Sequence, residues 1–206
     1  MTTVRFDGTS ELRATCVLPE GGGPHPALLL VGAPASLGER LAGAGYVVVV
    51  PEDAEATGDR RTVTDLEAGA AWLAGHESVD AERIGVIGFG AAAVHAFLLG
   101  CQSRRIAAVV CFQASLIYAD LSSARPVQPL EMALNLSAPL LAFFGEDDAA
   151  VPAEHVERLR GVLSQFAKTF EVYTYPGAGP GFFADDEAAR ADACEKMLAF
   201  LSDSLV

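Results

Sequence analysis

Two hydrophobic rhythms alternate along the chain. Short unbroken apolar runs, such as Ala27–Val31 and Tyr46–Val50, are separated by segments whose apolar residues recur every three or four positions. Unbroken runs of about four to eight residues suit strands covered on both faces, and the longer period suits amphipathic helices. The pattern predicts strands over Thr3–Phe6, Leu12–Leu18, Ala27–Gly32, Tyr46–Val50, Ile84–Ile87, Ile106–Phe112, Pro139–Phe144 and Phe170–Tyr175. The first two read as an antiparallel pair broken at Asp7-Gly8. Helices are expected over Gly38–Gly45, from a capping box at Thr64-Asp-Leu-Glu67 to about Gly75, over Ala91–Leu99, from Pro152 to Phe166, and from Asp185 onward. Pro51–Arg61 reads as a polar loop, and Gln113–Ser137 as irregular chain with a short helix near Pro129–Leu134.

Strand–helix alternation with short connections predicts one α/β domain over residues 1–206, a mostly parallel sheet with helices on both faces. Ligand sites in such sheets lie beyond the carboxyl ends of the strands. The loops at that end are Gly32–Ser36, Pro51–Arg61, Gly88–Ala92, Gln113–Arg125, Gly145–Ala150 and Gly177–Phe183.

Composition narrows the function classes. Hydrophobic residues make up 51% of the chain and the formal net charge is −13, which argues against nucleic acid and anionic membrane as partners. Of the 14 basic residues 12 are arginine, which with abundant alanine suggests a GC-rich bacterial genome. No apolar run is long enough to span a membrane, and Met1-Thr-Thr-Val-Arg-Phe-Asp7 lacks the pattern of a signal peptide, so a cytoplasmic location is expected. Cys16, Cys101, Cys111 and Cys194 are scattered, with no metal-ligand spacing. They read as small buried apolar residues, and no metal or cofactor is expected.

Three of the candidate loops carry a family resemblance. Arg83-Ile-Gly-Val-Ile-Gly-Phe-Gly-Ala-Ala-Ala93 resembles the strand and nucleophile elbow of the dienelactone hydrolases. Phe144-Gly-Glu-Asp-Asp-Ala-Ala-Val-Pro152 resembles their acid loop, and Tyr175-Pro-Gly-Ala-Gly-Pro-Gly-Phe182 their histidine loop. Gly45-Tyr-Val-Val-Val-Val-Pro51 and Asp65-Leu-Glu67 fit in the same order. The resemblance covers nearly the whole chain from Ala27 and implies the α/β-hydrolase fold.

The departures bear on chemistry. Where the family places a cysteine nucleophile this sequence has Gly90, and where it places its histidine this sequence has Pro180. Asp148 matches the family's acid. The family's glutamate after the first core strand is replaced within Gly32-Ala33-Pro34. Covalent acyl transfer needs a nucleophile beside a base, and neither Gly90 nor Pro180 supplies one. A relocated triad would draw its base from His25, His76, His95 or His155 and its nucleophile from Ser36, Cys111 or Ser115. His95 is the histidine nearest the elbow, although an imidazole inside so apolar a helix reads first as part of the packing.

What the resemblance leaves for chemistry is backbone. The N–H groups of Ala91 and Ala33 fall where the family holds its oxyanion. Asp148 is then the one family-matched acid or base, with Phe112, Phe182 and Phe183 as apolar walls. Arg60 and Arg61 lie where the family often keeps an arginine for a substrate carboxylate. Tyr118 and Arg125 are candidates for the entrance. The expected function is a non-hydrolytic enzyme, a cyclase, isomerase or dehydratase acting on a small carbonyl or lactone in bacterial secondary metabolism. The alternatives are a binding protein with a vacated pocket and a hydrolase with a relocated constellation. A small molecule is the expected partner, and self-association is left open.

Overall fold

The computed structural model describes residues 1–33, 35–52 and 58–205. Eight strands form one sheet in the order β1-β2-β4-β3-β5-β6-β7-β8. They are β1 (Thr2–Asp7), β2 (Glu11–Val17), β3 (His25–Val31), β4 (Val47–Pro51), β5 (Val79–Phe89), β6 (Ile106–Phe112), β7 (Leu140–Gly145) and β8 (Phe170–Tyr175). β1 pairs with β2 and β2 with β4 antiparallel, while β4 through β8 run parallel. The expected α/β-hydrolase architecture, with its amino-terminal antiparallel pair, is what the chain adopts.

The valine and leucine runs are unbroken because both sheet faces are covered. Along β3, Leu29 and Val31 enter one core, and Leu28 and Leu30 enter the other. The first core lies under α2 (Asp59–Ala74), α3 (Ala91–Gln102) and α4 (Ala153–Gln165). The second lies under α1 (Ala35–Gly43) and α6 (Glu187–Ser204). Strand periodicity of two sends alternate side chains to opposite layers.

Two helix starts differ from expectation. α2 begins at Asp59, five residues before the Thr64 capping box, so the segment read as loop ends earlier; positions 53–57 of that loop lie outside the described residues. The Thr64 hydroxyl bonds back to the Arg60 carbonyl at 2.9 Å, and Gly58 precedes the helix without a side-chain cap. The carboxyl-terminal helix is preceded by a four-residue turn, α5 (Phe182–Asp185). Asp186 then caps α6 by accepting from the Ala189 N–H at 3.0 Å. The irregular stretch after β6 contains a 3₁₀ helix over Pro129–Asn135, close to the expected position. No helix among the described residues is long and apolar enough to cross a membrane.

Candidate active site

The sharpest turn at the carboxyl end of the sheet joins β5 to α3. Gly90 takes φ 55° and ψ −125°, a conformation that residues with a side chain adopt only under strain. Its N–H donates to the Phe112 carbonyl at 2.8 Å. Gly88 lets the helix fold back onto its own strand: a Cβ there would meet Ala93 Cα at 2.6 Å and the Ala92 carbonyl oxygen at 2.8 Å. A Cβ on Gly90 would meet no atom within 4 Å. The elbow is therefore built, and the space into which its side chain would project is open.

The acid loop and the former histidine loop are joined mainly through main-chain groups. Asp147 N–H donates to the Ala178 carbonyl at 2.9 Å, and Glu146 N–H to the Tyr175 carbonyl at 3.0 Å. The Gln113 amide donates to the carbonyls of Gly179, at 3.2 Å, and Pro180. Pro180 itself is exposed. Asp148 is 4% exposed, and its Oδ1 accepts from the Ala150 N–H at 2.9 Å. That bond pins its own loop.

The other expected residues divide. Phe112, Phe182 and Phe183 are buried on the α1/α6 side of the sheet. There Phe112 lies 4.2 Å from Phe89 and 4.7 Å from Phe143, centroid to centroid, and Phe183 meets both Phe89 and Phe112 edge-on. They are core, where the sequence suggested pocket walls, because strand alternation turns Phe112 away from α2 and α3. Arg60 and Arg61 are the exposed residues in the first turn of α2, and neither borders the cavity described next. Ala33 is half-buried after β3, and Pro34 lies outside the described residues.

Beside the elbow is a cavity of about 520 Å³, bordered by Ala91, Val94 and His95 of α3, Gly58 and Asp59 at the start of α2, and the chain from Ser115 to Arg125. This volume falls in the ordinary range of small-molecule sites, about 300–1,000 Å³. Tyr118 and Arg125 border it as expected. Asp59 and His95 complete a cluster that sequence reasoning did not assemble. The Tyr118 hydroxyl donates to Asp59 Oδ1 at 3.0 Å, and His95 Nε2 lies 3.2 Å from the same oxygen. Asp59 and His95 are 5% and 6% exposed. The partner oxygen, Asp59 Oδ2, is buried without a hydrogen bond among the described residues.

Each member is held from behind. Asp59 N–H donates to the Ala124 carbonyl at 2.9 Å. Gln128 clamps the Tyr118 main chain, accepting from its N–H at 2.7 Å and donating to its carbonyl at 2.9 Å. The Arg125 guanidinium lies 4.9 Å from the centre of the Tyr118 ring. Burial pushes the His95 imidazole below its ordinary pKa, and Asp59 opposes that shift. Burial, and then the bond to Asp59, push the Tyr118 phenol up. The result is a neutral imidazole and a neutral phenol on one carboxylate oxygen, an arrangement suited to moving protons. Ser115 shares the cavity, but its hydroxyl donates to the Ala150 carbonyl at 3.4 Å instead of to His95. No cluster among the described residues could hold a metal ion.

The one local signal for His95 was its position, a single polar side chain inside the run Ala91-Ala-Ala-Val-His-Ala-Phe-Leu-Leu-Gly100. A buried polar group in such a helix needs a partner. Nothing local identified that partner as Asp59, 36 positions earlier.

Comparison with known proteins agrees with this architecture. The model of the family described as dienelactone hydrolases matches residues 13–205. A Yersinia pestis protein provisionally named a carboxymethylenebutenolidase is 28% identical over 212 residues, covering 89% of this chain and 78% of its own. A Bradyrhizobium protein provisionally named a 2-oxo-3-(5-oxofuran-2-ylidene)propanoate lactonase is 30% identical over 128 residues, covering 62% of this chain and 51% of its own. A crystal structure from Klebsiella pneumoniae, provisionally named a dienelactone hydrolase, superposes with a TM-score of 0.86 at 25% identity, covering 98% of this chain and 99% of that one.

Proposed function

The chain belongs to the dienelactone hydrolase family, and from that premise we propose that it is a non-hydrolytic member, binding a small carbonyl or lactone compound and rearranging it without a covalent intermediate. The observation that carries this reading is Gly90. The elbow turn is retained, its side chain is gone, and a Cβ there would meet open space. The elbow's remaining asset is the first turn of α3, where the Ala91 N–H has no intrahelical acceptor and lies at the positive end of the helix dipole. Ala91 borders the cavity, so its N–H can stabilise negative charge developing on a carbonyl oxygen. The lactone names carried by the relatives support a compound of that class.

The test is hydrolysis itself. Purified protein should turn over p-nitrophenyl acetate no faster than buffer, and a fluorophosphonate should leave no covalent adduct in the cavity. Esterase turnover that disappears in Ser115→Ala would overturn the reading, because it would make Ser115 a relocated nucleophile.

A further inference from the structure

We propose that His95 is the proton-transfer group of the cavity beside the elbow, with Asp59 and Tyr118 as its positioning residues, and that its substrate is a lactone or ketone with an acidic C–H next to the carbonyl and a neighbouring double bond. The proposal rests on the reading of this cavity as a site for a small carbonyl compound.

Asp59 Oδ1 is approached by two groups, the Tyr118 hydroxyl at 3.0 Å and His95 Nε2 at 3.2 Å. A carboxylate oxygen only accepts, so Nε2 carries the ring proton and Nδ1 keeps the lone pair. The second oxygen, Oδ2, is sealed from solvent and bonded to nothing among the described residues. The Thr62 hydroxyl, in the same first turn of α2, is in the same state. Most buried polar atoms in a folded protein are bonded, so a carboxylate oxygen left without a partner beside a cavity calls for an explanation. A carboxylate left under-bonded in a buried site gains most when its neighbour becomes an imidazolium. Asp59 therefore offsets part of what burial costs a proton arriving on His95, so the resting imidazole is neutral and its protonated form has a counter-charge at hand.

The groups facing His95 are Asp59 from α2 and Tyr118 and Arg125 from the segment after β6, with Ala91 one turn earlier on α3 and the Asp120 carboxylate on the same cavity wall. Arg125 is exposed at the cavity rim and can meet an anionic substituent.

The step balances without a co-reactant. The lone pair of His95 Nδ1 takes the proton from the carbon beside the carbonyl. The C–H electron pair forms the new C=C bond, and the carbonyl π pair moves to oxygen, which the Ala91 N–H stabilises as a dienolate. The imidazolium then returns the proton to the far end of the conjugated system. The carbonyl re-forms, and the double bond has moved by one position.

The probe is α-angelica lactone in deuterated water, followed by NMR. Wild-type protein should shift the Ala91 amide resonance on binding. It should also accelerate deuterium uptake beside the carbonyl, with conversion to the conjugated isomer. His95→Gln, checked for an unchanged melting temperature, should lose about 10²–10⁴-fold of that rate. The pH profile separates positioning from mere packing. Asp59→Asn should move the acid limb of the rate to lower pH, because the imidazolium loses its counter-charge. Tyr118→Phe should move it to higher pH, because the carboxylate then serves one donor instead of two. An unmoved acid limb in both variants, or exchange that persists in His95→Gln, overturns the proposal. Binding at Ala91 without exchange overturns it and leaves the wider reading of the cavity standing. Absence of both binding and exchange, or ring opening of the lactone, removes both.

Discussion

At the scale of single residues, the cavity is governed by where polar atoms have been left without water. His95 is held neutral by burial, so the folded protein resists the proton that the unfolded chain accepts as pH falls below the ordinary imidazole value of about 6.5. The unfolded state then binds more protons than the folded one, and stability rises with pH across that window. The melting temperature of the wild type should therefore fall between pH 7 and pH 5.5 by more than that of His95→Gln, measured side by side. An equal fall in both would place the acid sensitivity elsewhere. The same residue marks the limit of sequence reading. An imidazole in an apolar helix announces that a partner exists. The partner was hidden inside Asp59-Arg60-Arg61, a run that looks wholly solvated, and it turns inward only because α2 starts earlier than its capping box suggests. The third member, Tyr118, comes from 59 positions downstream of Asp59.

At the scale of elements, the central strands were legible because covering both faces imposes an uninterrupted apolar run, which is a local property. The elbow was legible as well, since Gly88-Phe-Gly90 between a strand and an apolar helix has few other uses. What periodicity could not tell was which side of the sheet each loop residue serves. Phe112, Phe182 and Phe183 lie in candidate loops or beside them but belong to the α1/α6 layer. Because the three loops keep one another in place, their geometry can be tested by refilling them. Gly90→Cys combined with Pro180→His should give slow hydrolysis of activated esters, while neither single change does. The cysteine has to accept the positive φ of Gly90, at a cost of about 1–3 kcal/mol, so thermal melting should accompany the assay. A folded double variant with no activity would show that the histidine loop no longer presents its side chain toward the elbow.

At the scale of the whole molecule, the surface is dominated by one sign of charge. Against 27 acidic residues stand 14 basic ones, and several of the pairs that form, such as Arg5 with Glu11 and Arg105 with Glu67, are well exposed and count for little. A net charge of −13 acts against the compact state by self-repulsion. Raising the ionic strength from about 0.01 M to about 0.15 M shortens the screening length from about 30 Å to about 8 Å. The melting temperature should rise over that interval, and a flat or falling response would mean that specific ion pairs outweigh the general repulsion. The bonds that join the acid loop to the former histidine loop are different in kind. They run largely between main-chain groups, Asp147 to Ala178 and Glu146 to Tyr175, so they do not depend on which side chains the two loops carry. A lineage built on such a frame can lose a nucleophile or a base by single codon changes and still produce a folded, heritable protein at every step. The end of the sheet stays available as a place where new chemistry can be tried, with the neighbouring cavity already in position to receive it.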